Sequence, residues 1–223
     1  MPDLLAAWAP RLIAIATADS QDDGAHDLNH LHRVWQLAHT LLASHPEADP
    51  LVVQAACYLH DIVNLPKNHP ERTQASRMAA AQARMHLARA GFPAGKLDAV
   101  AHAIEAHSFS AGIAPTTIEA KIVQDADRLD ALGAVGLARL FYTAGRMGSA
   151  FAHPEDPLAH TRALDDRAYA LDHIEAKLAT LPPAMHTAAA RTLAESRLAW
   201  LRAFRATFVQ EWSATQSAGP ADT

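Results

Sequence analysis

The chain has 223 residues, of which 50% are hydrophobic and only nine are glycine, and it carries a formal net charge of -5. This length supplies one well-filled core but leaves little room for a second full domain. The net negative charge, without a basic stripe, argues against nucleic-acid binding through phosphates. Because sparse glycine and abundant apolar residues favour packed helices, we predict a single all-α domain over residues 1–212 and a flexible tail at 213–223.

The sequence also limits the cellular setting. No basic region is followed by an unbroken apolar stretch at the start of the chain, and no window approaches the roughly 20 apolar residues of a membrane span. A single cysteine, Cys57, excludes an internal disulfide and fits a reducing compartment. We therefore expect a cytoplasmic protein that does not bind a membrane.

Two helices are predicted at the start of the chain. Apolar residues at helical spacing indicate a packing helix over residues 3–17, and a polar linker follows at 19–24. A second helix is expected over about 28–44, with Asp27 placed to cap it. His30 points inward there, because it shares one apolar stripe with Val34, Leu37, Ala38 and Leu41. Taken alone, such a histidine is more often a core residue bonded to a carbonyl than a ligand.

A third helix, beginning near Pro50, ends in the adjacent pair His60 and Asp61, shortly before a break at Pro66. The apolar spacing of this helix requires it to face a core. Burying an ionised carboxylate without a partner costs several kcal/mol, so a cation or a hydrogen-bond network is expected beside the pair. A metal ion would satisfy both side chains at once.

Cationic and polar residues follow this pair. Lys67 and Arg72 lie in a proline-rich loop, and Ser76 and Arg77 lie near the start of a helix expected over about 73–90. In an acidic protein, such a cationic patch beside a metal suits an anionic substrate. The alternative from composition alone is a solvated loop and helix start.

Two further helices supply the remaining candidates. One ends at His107, and this helix-to-loop position favours it over His102 as a histidine that enters a pocket. The next is expected to be one long helix, opened by a capping box near residue 116 and continuing through Leu132, with Asp127 and Asp130 on its inward face. Two carboxylates at this spacing repel each other unless a cation or a donor intervenes, which favours a metal.

The last third of the chain is assigned to packing. Residues 145–157 are predicted to form a loop that could act as a flap, and helices are expected over about 165–180 and 184–212.

The inward polar residues form an ordered set: His30 on one helix, His60 and Asp61 at the end of a second, and Asp127 on a third. Ligands of this hard or borderline type suit Mn, Mg, Fe, Co or Zn, with positions left for water and substrate.

The wording of these motifs resembles that of the HD-domain metal-dependent phosphohydrolases, especially a bacterial branch of small proteins and nucleotide pyrophosphohydrolases. The resemblance spans about residues 26–135 and rests on four segments, which read HDLNHLHRV from His26, LHDIVNLPK from Leu59, HSFS from His107 and QDADRLD from Gln124. It implies a helical HD domain extended by further C-terminal helices.

The same resemblance implies that His30, His60, Asp61 and Asp127 bind a divalent metal. Mn or Mg is the first expectation, with Fe, Co, Ni or Zn as alternatives, and one metal is favoured over two. The implied substrate is a phosphorylated small molecule, a nucleotide, with cleavage of a nucleoside triphosphate to monophosphate and pyrophosphate as the finer expectation. Members that hydrolyse nucleoside monophosphates carry a glutamate where this chain has Asn64, so that mechanism is not implied.

Roles in the chemistry are assigned as hypotheses. We expect the catalytic residues to be Asp61, His107, Asp130 and Arg128, and the substrate-binding residues to be Lys67, Arg72, Ser76 and His107. Asp27 and Asp130 are alternatively residues that orient the ligands. The competing interpretation is a non-catalytic signalling module that binds a metal or nucleotide on the same scaffold. A homodimer is compatible with the sequence, which does not determine the oligomeric state.

Overall fold

The computed structural model describes residues 2–18, 27–63, 65, 69–108 and 111–217, and within these ranges the protein is all-α, as predicted. The α-helices are α1 (Pro2–Thr17), α2 (Leu28–Leu42), α3 (Pro50–Leu59), α4 (Ala75–Arg89), α5 (Leu97–His107), α6 (Ile118–Asp130), α7 (Gly133–Met147), α8 (Asp172–Ala176) and α9 (Ala188–Ser217). Short 3-10 turns lie at Arg72–Gln74, Ala94–Lys96, Leu178–Thr180 and Pro182–Ala184. Strand-like pairing among the described residues is limited to an isolated bridge between Ala150 and Tyr169.

The chain forms two compact units. The first comprises residues 1–130 and 186–190, and the second comprises 131–185 and 191–223. None of the described helices is long and apolar enough to cross a membrane. Of the tail predicted at 213–223, residues up to Ser217 continue α9, and 218–223 lie outside the described residues.

Helix α3 is the centre of the first unit. Every residue from Leu51 to Leu59 is buried, because α3 packs against α1, α2, α5 and α6. A helix that is apolar on all sides requires such a position. Asp49 caps its first turn by accepting hydrogen bonds from Leu51 N and Val52 N, and Pro50 occupies the position where no backbone donor is needed.

Two predictions about the later helices were wrong. The stretch predicted as one continuous helix through residue 132 divides into α6 and α7, because Leu132 is extended and Gly133 has a φ of 75°. The helix predicted over 165–180 is reduced to the five residues of α8 and a 3-10 turn. The N–H groups of Ala170 and Leu171 donate to Ala150 O and Phe151 O instead of to carbonyls four residues earlier, which interrupts a helix at this point.

The second unit is organised around a buried carboxylate. Asp172 is fully buried and accepts two hydrogen bonds from the guanidinium of Arg162, at 2.5 and 2.9 Å, and one from Asp165 N at 2.8 Å. The same guanidinium lies over the ring of Tyr169 and donates to Asp156 O. This pairing holds the irregular segment between α7 and α8.

A second buried carboxylate connects distant parts of the first unit. Asp125 of α6 is fully buried and accepts hydrogen bonds from His186 N at 3.0 Å, Thr187 N at 2.8 Å and Thr187 Oγ1 at 2.9 Å. The donors are two backbone N–H groups and one hydroxyl of the residues that immediately precede α9. Asp125 therefore fixes residues 186 and 187 to α6.

We expect Asp125→Ala to reduce the free energy of unfolding by about 2–4 kcal/mol, because it leaves two buried donors of Thr187 and the partly exposed N–H of His186 without an acceptor. Urea denaturation followed by circular dichroism measures this change. The control is Asp98→Ala, which removes a carboxylate that is 84% exposed and paired with Arg84. That variant should lose less than about 1 kcal/mol. Equal losses in the two variants would contradict the anchoring role of Asp125.

Candidate metal centre

The first turn of α2 presents His30 to the core. Asp27 accepts hydrogen bonds from His30 N and caps the helix, as the sequence predicted. His30 is fully buried on the same face as Val34, Ala38 and Leu41. Its imidazole therefore enters the interior of the first unit.

The C-terminal end of α3 supplies two more polar side chains. His60 is almost completely buried, and Asp61, the next residue, keeps 18% of its side chain exposed. Helix α6 supplies Asp127, which is 28% exposed, and Asp130, which is buried. Three helices thus direct five ionisable side chains toward one region.

Four of these side chains, those of His30, His60, Asp61 and Asp127, converge and form a histidine–aspartate cluster. His30 Nε2 lies 3.3 Å from His60 Nε2, 3.7 Å from Asp61 Oδ2 and 3.5 Å from Asp127 Oδ1. His60 Nε2 lies 3.4 Å from Asp61 Oδ2 and 3.8 Å from Asp127 Oδ1. Atoms about 2.1 Å from a shared cation are roughly 3–3.5 Å apart at common coordination angles. The four residues therefore could hold a metal ion.

Hydrogen bonds at the opposite ring nitrogen orient each imidazole. His60 Nδ1 donates to Cys57 O at 2.9 Å, and His30 Nδ1 donates to Asp130 Oδ2 at 2.7 Å. His107, at the end of α5, repeats the arrangement of His60, since its Nδ1 donates to Ile104 O at 2.6 Å. A proton on Nδ1 leaves Nε2 with a lone pair in the neutral ring. All three Nε2 atoms face the cluster, where that of His107 lies 3.7 Å from Asp61 Oδ1.

Arg33 is a residue that the sequence analysis missed. Its Nε and Nη2 donate to the two carboxylate oxygens of Asp130 at 2.8 and 3.1 Å. Asp130 therefore receives hydrogen bonds from both Arg33 and His30, which suits the orienting role considered for it. The three-residue spacing of His30 and Arg33 on α2 places them on adjacent parts of one face and was the available signal.

Charge and burial together shift the pKa values in the cluster. Burial alone would lower the pKa of His60, but the carboxylates of Asp61 and Asp127 outweigh it and raise this pKa to about 9. Burial would raise the pKa of Asp127, but nearby His60 and the other imidazoles hold it below 3.8. Burial, reinforced by the charge of His60, lowers the pKa of His107 below 6.5. The carboxylates of Asp61 and Asp127 therefore favour the protonated form of His60.

The remaining predicted residues lie in varied surroundings. Arg128 is half-buried, and burial lowers its pKa. Arg72 donates through Nη1 to Leu65 O, so its side chain contacts the loop that follows Asp61. Ser76 is buried, and its hydroxyl has no hydrogen-bond partner among the described residues. Lys67 lies outside the described residues, and the substrate-binding roles of all these side chains stay predictions.

Comparison with known proteins gives a consistent family assignment. The model of the HD domain family matches residues 27–132. The uncharacterized protein YpgQ of Bacillus subtilis is 34% identical over 182 residues, which are 80% of each chain. The crystal structure of YpgQ in complex with ADP is similar at 31% identity and a TM-score of 0.70, over 91% of this chain and 97% of that one.

An HD-superfamily hydrolase from Bacillus thuringiensis has a similar structure, with 28% identity, a TM-score of 0.70 and coverage of 96% of this chain and 98% of that one. A Lactobacillus plantarum protein is similar at 30% identity, with a TM-score of 0.70 over 92% of this chain and 98% of that one. The likeness therefore extends well beyond residues 27–132.

The raised pKa of His60 predicts how stability depends on pH after chelator treatment. A pKa of about 9 in the folded protein against 6.5 in the unfolded chain means that protonated His60 stabilises the fold fully below pH 6.5. This stabilisation, about 3 kcal/mol, should be lost as the pH rises through 9. Urea denaturation of chelated protein at pH 6 and pH 9.5 measures the loss.

The variant His60→Gln should show a much smaller loss over the same interval. The lowered pKa of His107 destabilises the fold at pH 6 in both proteins, so the difference between them still reports on His60. An unchanged pH dependence in His60→Gln would show that another group is responsible.

Proposed function

Because the chain belongs to the HD domain family, we propose that it is a metal-dependent phosphohydrolase that acts on a nucleotide. The observation that carries this proposal is the convergence of His30, His60, Asp61 and Asp127, whose facing atoms lie 3.3–3.8 Å apart in the histidine–histidine and histidine–carboxylate pairs. Membership in the family and the hydrolase neighbour from Bacillus thuringiensis support a hydrolytic reaction.

The donor set suits a divalent cation held by these four residues. Two neutral imidazoles and two carboxylates match Mn²⁺ or Mg²⁺ and are also compatible with Fe, Co, Ni or Zn. Such an ion would polarise a phosphoryl oxygen and lower the pKa of a bound water. Asp130 would orient His30 through the hydrogen bond at Nδ1, as carboxylates outside the ligand set do in other metal sites.

His107 is placed to act as a proton acceptor. Its Nε2 faces the cluster beside Asp61, and its lowered pKa keeps the ring neutral near pH 7. A neutral imidazole within reach of the reacting water would take a proton as the water attacks phosphorus. We propose that Lys67, Arg72 and Arg128 offset the negative charge that develops on the phosphoryl group and the leaving group.

The nucleotide class rests on two observations. The structure of YpgQ from Bacillus subtilis contains ADP, and that protein is about one-third identical to this chain. The sequence motifs resemble those of nucleotide pyrophosphohydrolases. We therefore propose cleavage of a nucleoside triphosphate to monophosphate and pyrophosphate as the specific reaction.

Removing one carboxylate of the cluster tests the site. In Asp61→Ala we expect bound metal and turnover to fall together by more than roughly 100-fold, since a direct ligand should matter at least as much as an orienting residue. Elemental analysis and a phosphoester panel with added Mn²⁺ measure the two losses. Asp98→Ala, with its exposed carboxylate on α5, is the matched control and should retain both. Retention of metal and activity in Asp61→Ala would refute the assignment.

Product analysis tests the specific reaction. With ATP and Mn²⁺ we expect AMP and pyrophosphate in equal amounts, separated by chromatography, because attack at the α-phosphorus releases the two terminal phosphates together. Release of orthophosphate instead would overturn the pyrophosphohydrolase assignment but keep a phosphohydrolase. Bound metal and nucleotide without turnover would favour the non-catalytic module.

A further inference from the structure

Helices α5 and α6 carry His107 and Asp127, and one buried side chain bridges them. Gln124 of α6 is 3% exposed, and its Nε2 donates to Ala106 O at 2.5 Å. Ala106 immediately precedes His107, and its carbonyl belongs to the last turn of α5, where backbone acceptors have no partners within the helix. Gln124 lies one helical turn before Asp127. A single amide thus connects the helix ends that carry both groups.

A second imidazole sets the direction of this amide. His186 Nε2 lies 2.6 Å from Gln124 Oε1, and the N–H at that nitrogen donates to the amide oxygen. Reversing the amide would place its oxygen against Ala106 O, where two acceptors would face each other. His186 is itself held, because its backbone N donates to Asp125. Gln124 Nε2 is therefore oriented to donate its hydrogen bond to Ala106 O of α5.

We propose that Gln124 is a positioning residue that fixes His107 relative to Asp127, and that His186 acts through it by orienting the amide. The inference rests on the proposed function in one respect, namely that His107 takes part in the reaction. The positioning itself is argued from geometry alone: His60, His107 and Asp127 offer ligand-type atoms within 4.8 Å of one another, so a shift of α5 against α6 changes their spacing. Misplacement of a reacting group by about 1 Å can cost up to roughly 100-fold in rate.

Gln124→Met tests the proposal, because it removes both hydrogen bonds and approximately preserves side-chain volume. The matched control is Gln54→Met: Gln54 on α3 is equally buried in the same unit, and its Oε1 has no hydrogen-bond partner among the described residues. The first measurement is the nitrogen chemical shifts of the His107 imidazole, recorded by long-range ¹H–¹⁵N NMR on chelated protein. We expect these shifts to change in Gln124→Met and in His186→Ala, and to stay at wild-type values in Gln54→Met.

The second measurement is a double-mutant cycle in steady-state kinetics. Gln124→Met should lower kcat about tenfold with little change in KM, because the residue does not touch the substrate. In a His107→Ala background the same substitution should have no further effect on kcat, since Gln124 acts through His107. His186→Ala and Gln124→Met should likewise be non-additive. A residue with a merely structural role would reduce activity equally in both backgrounds.

The outcomes separate this inference from the proposed function. Unchanged His107 signals in Gln124→Met, or additive effects on kcat, would overturn the positioning role even if the wild-type protein hydrolyses nucleotides. Absence of turnover in the wild-type protein would refute the proposed function, and the NMR comparison with Gln54→Met would still decide whether Gln124 fixes His107. A helical circular-dichroism spectrum in each variant excludes unfolding as the cause.

Discussion

The first unit depends on how it accommodates two carboxylates in one partly buried region. Asp61 and Asp127 both lie within 3.7 Å of His30 Nε2, and like charges so placed repel strongly where water is scarce. The imidazole of His60 offsets this repulsion when it is protonated, and its raised pKa is the consequence. A divalent cation would offset it more completely than one proton. The packing of α2, α5 and α6 around α3 brings these side chains together.

Hydrogen bonds within the protein orient the imidazoles. His60 and His107 each donate to the carbonyl three residues earlier at the end of a helix, so each ring also closes that helix end. His30 uses Asp130 instead, and Arg33 holds Asp130 in turn. Rings held in this way lose little conformational entropy on binding a ligand, which is the advantage of preorganisation. Most of the conformational entropy of these side chains is therefore lost when the protein folds and not when a ligand binds.

Sequence periodicity predicted the parts of the site that depend on a single helix. The apolar stripe of α2 correctly directed His30 inward, and the inward face of α6 placed Asp130 in the core. Sequence periodicity could not reveal the partners of Arg33 or Gln124, because those partners lie on other helices. Only the folded chain brings them into contact. The helix predicted over 165–180 failed for a related reason, since the N–H groups of Ala170 and Leu171 donate to Ala150 O and Phe151 O in an earlier segment of the chain. The metal and substrate roles remain proposals.

The hydrogen bonds from residues 186 and 187 to Asp125 bear on where this protein can be shortened. A fragment that stops after α6 would retain every residue of the histidine–aspartate cluster, yet it would leave a fully buried carboxylate without its three donors. It would also lack His186, whose imidazole contacts Gln124. The first unit is thus discontinuous along the polypeptide, and attempts to shorten the protein should keep the segment that returns at residues 186–190.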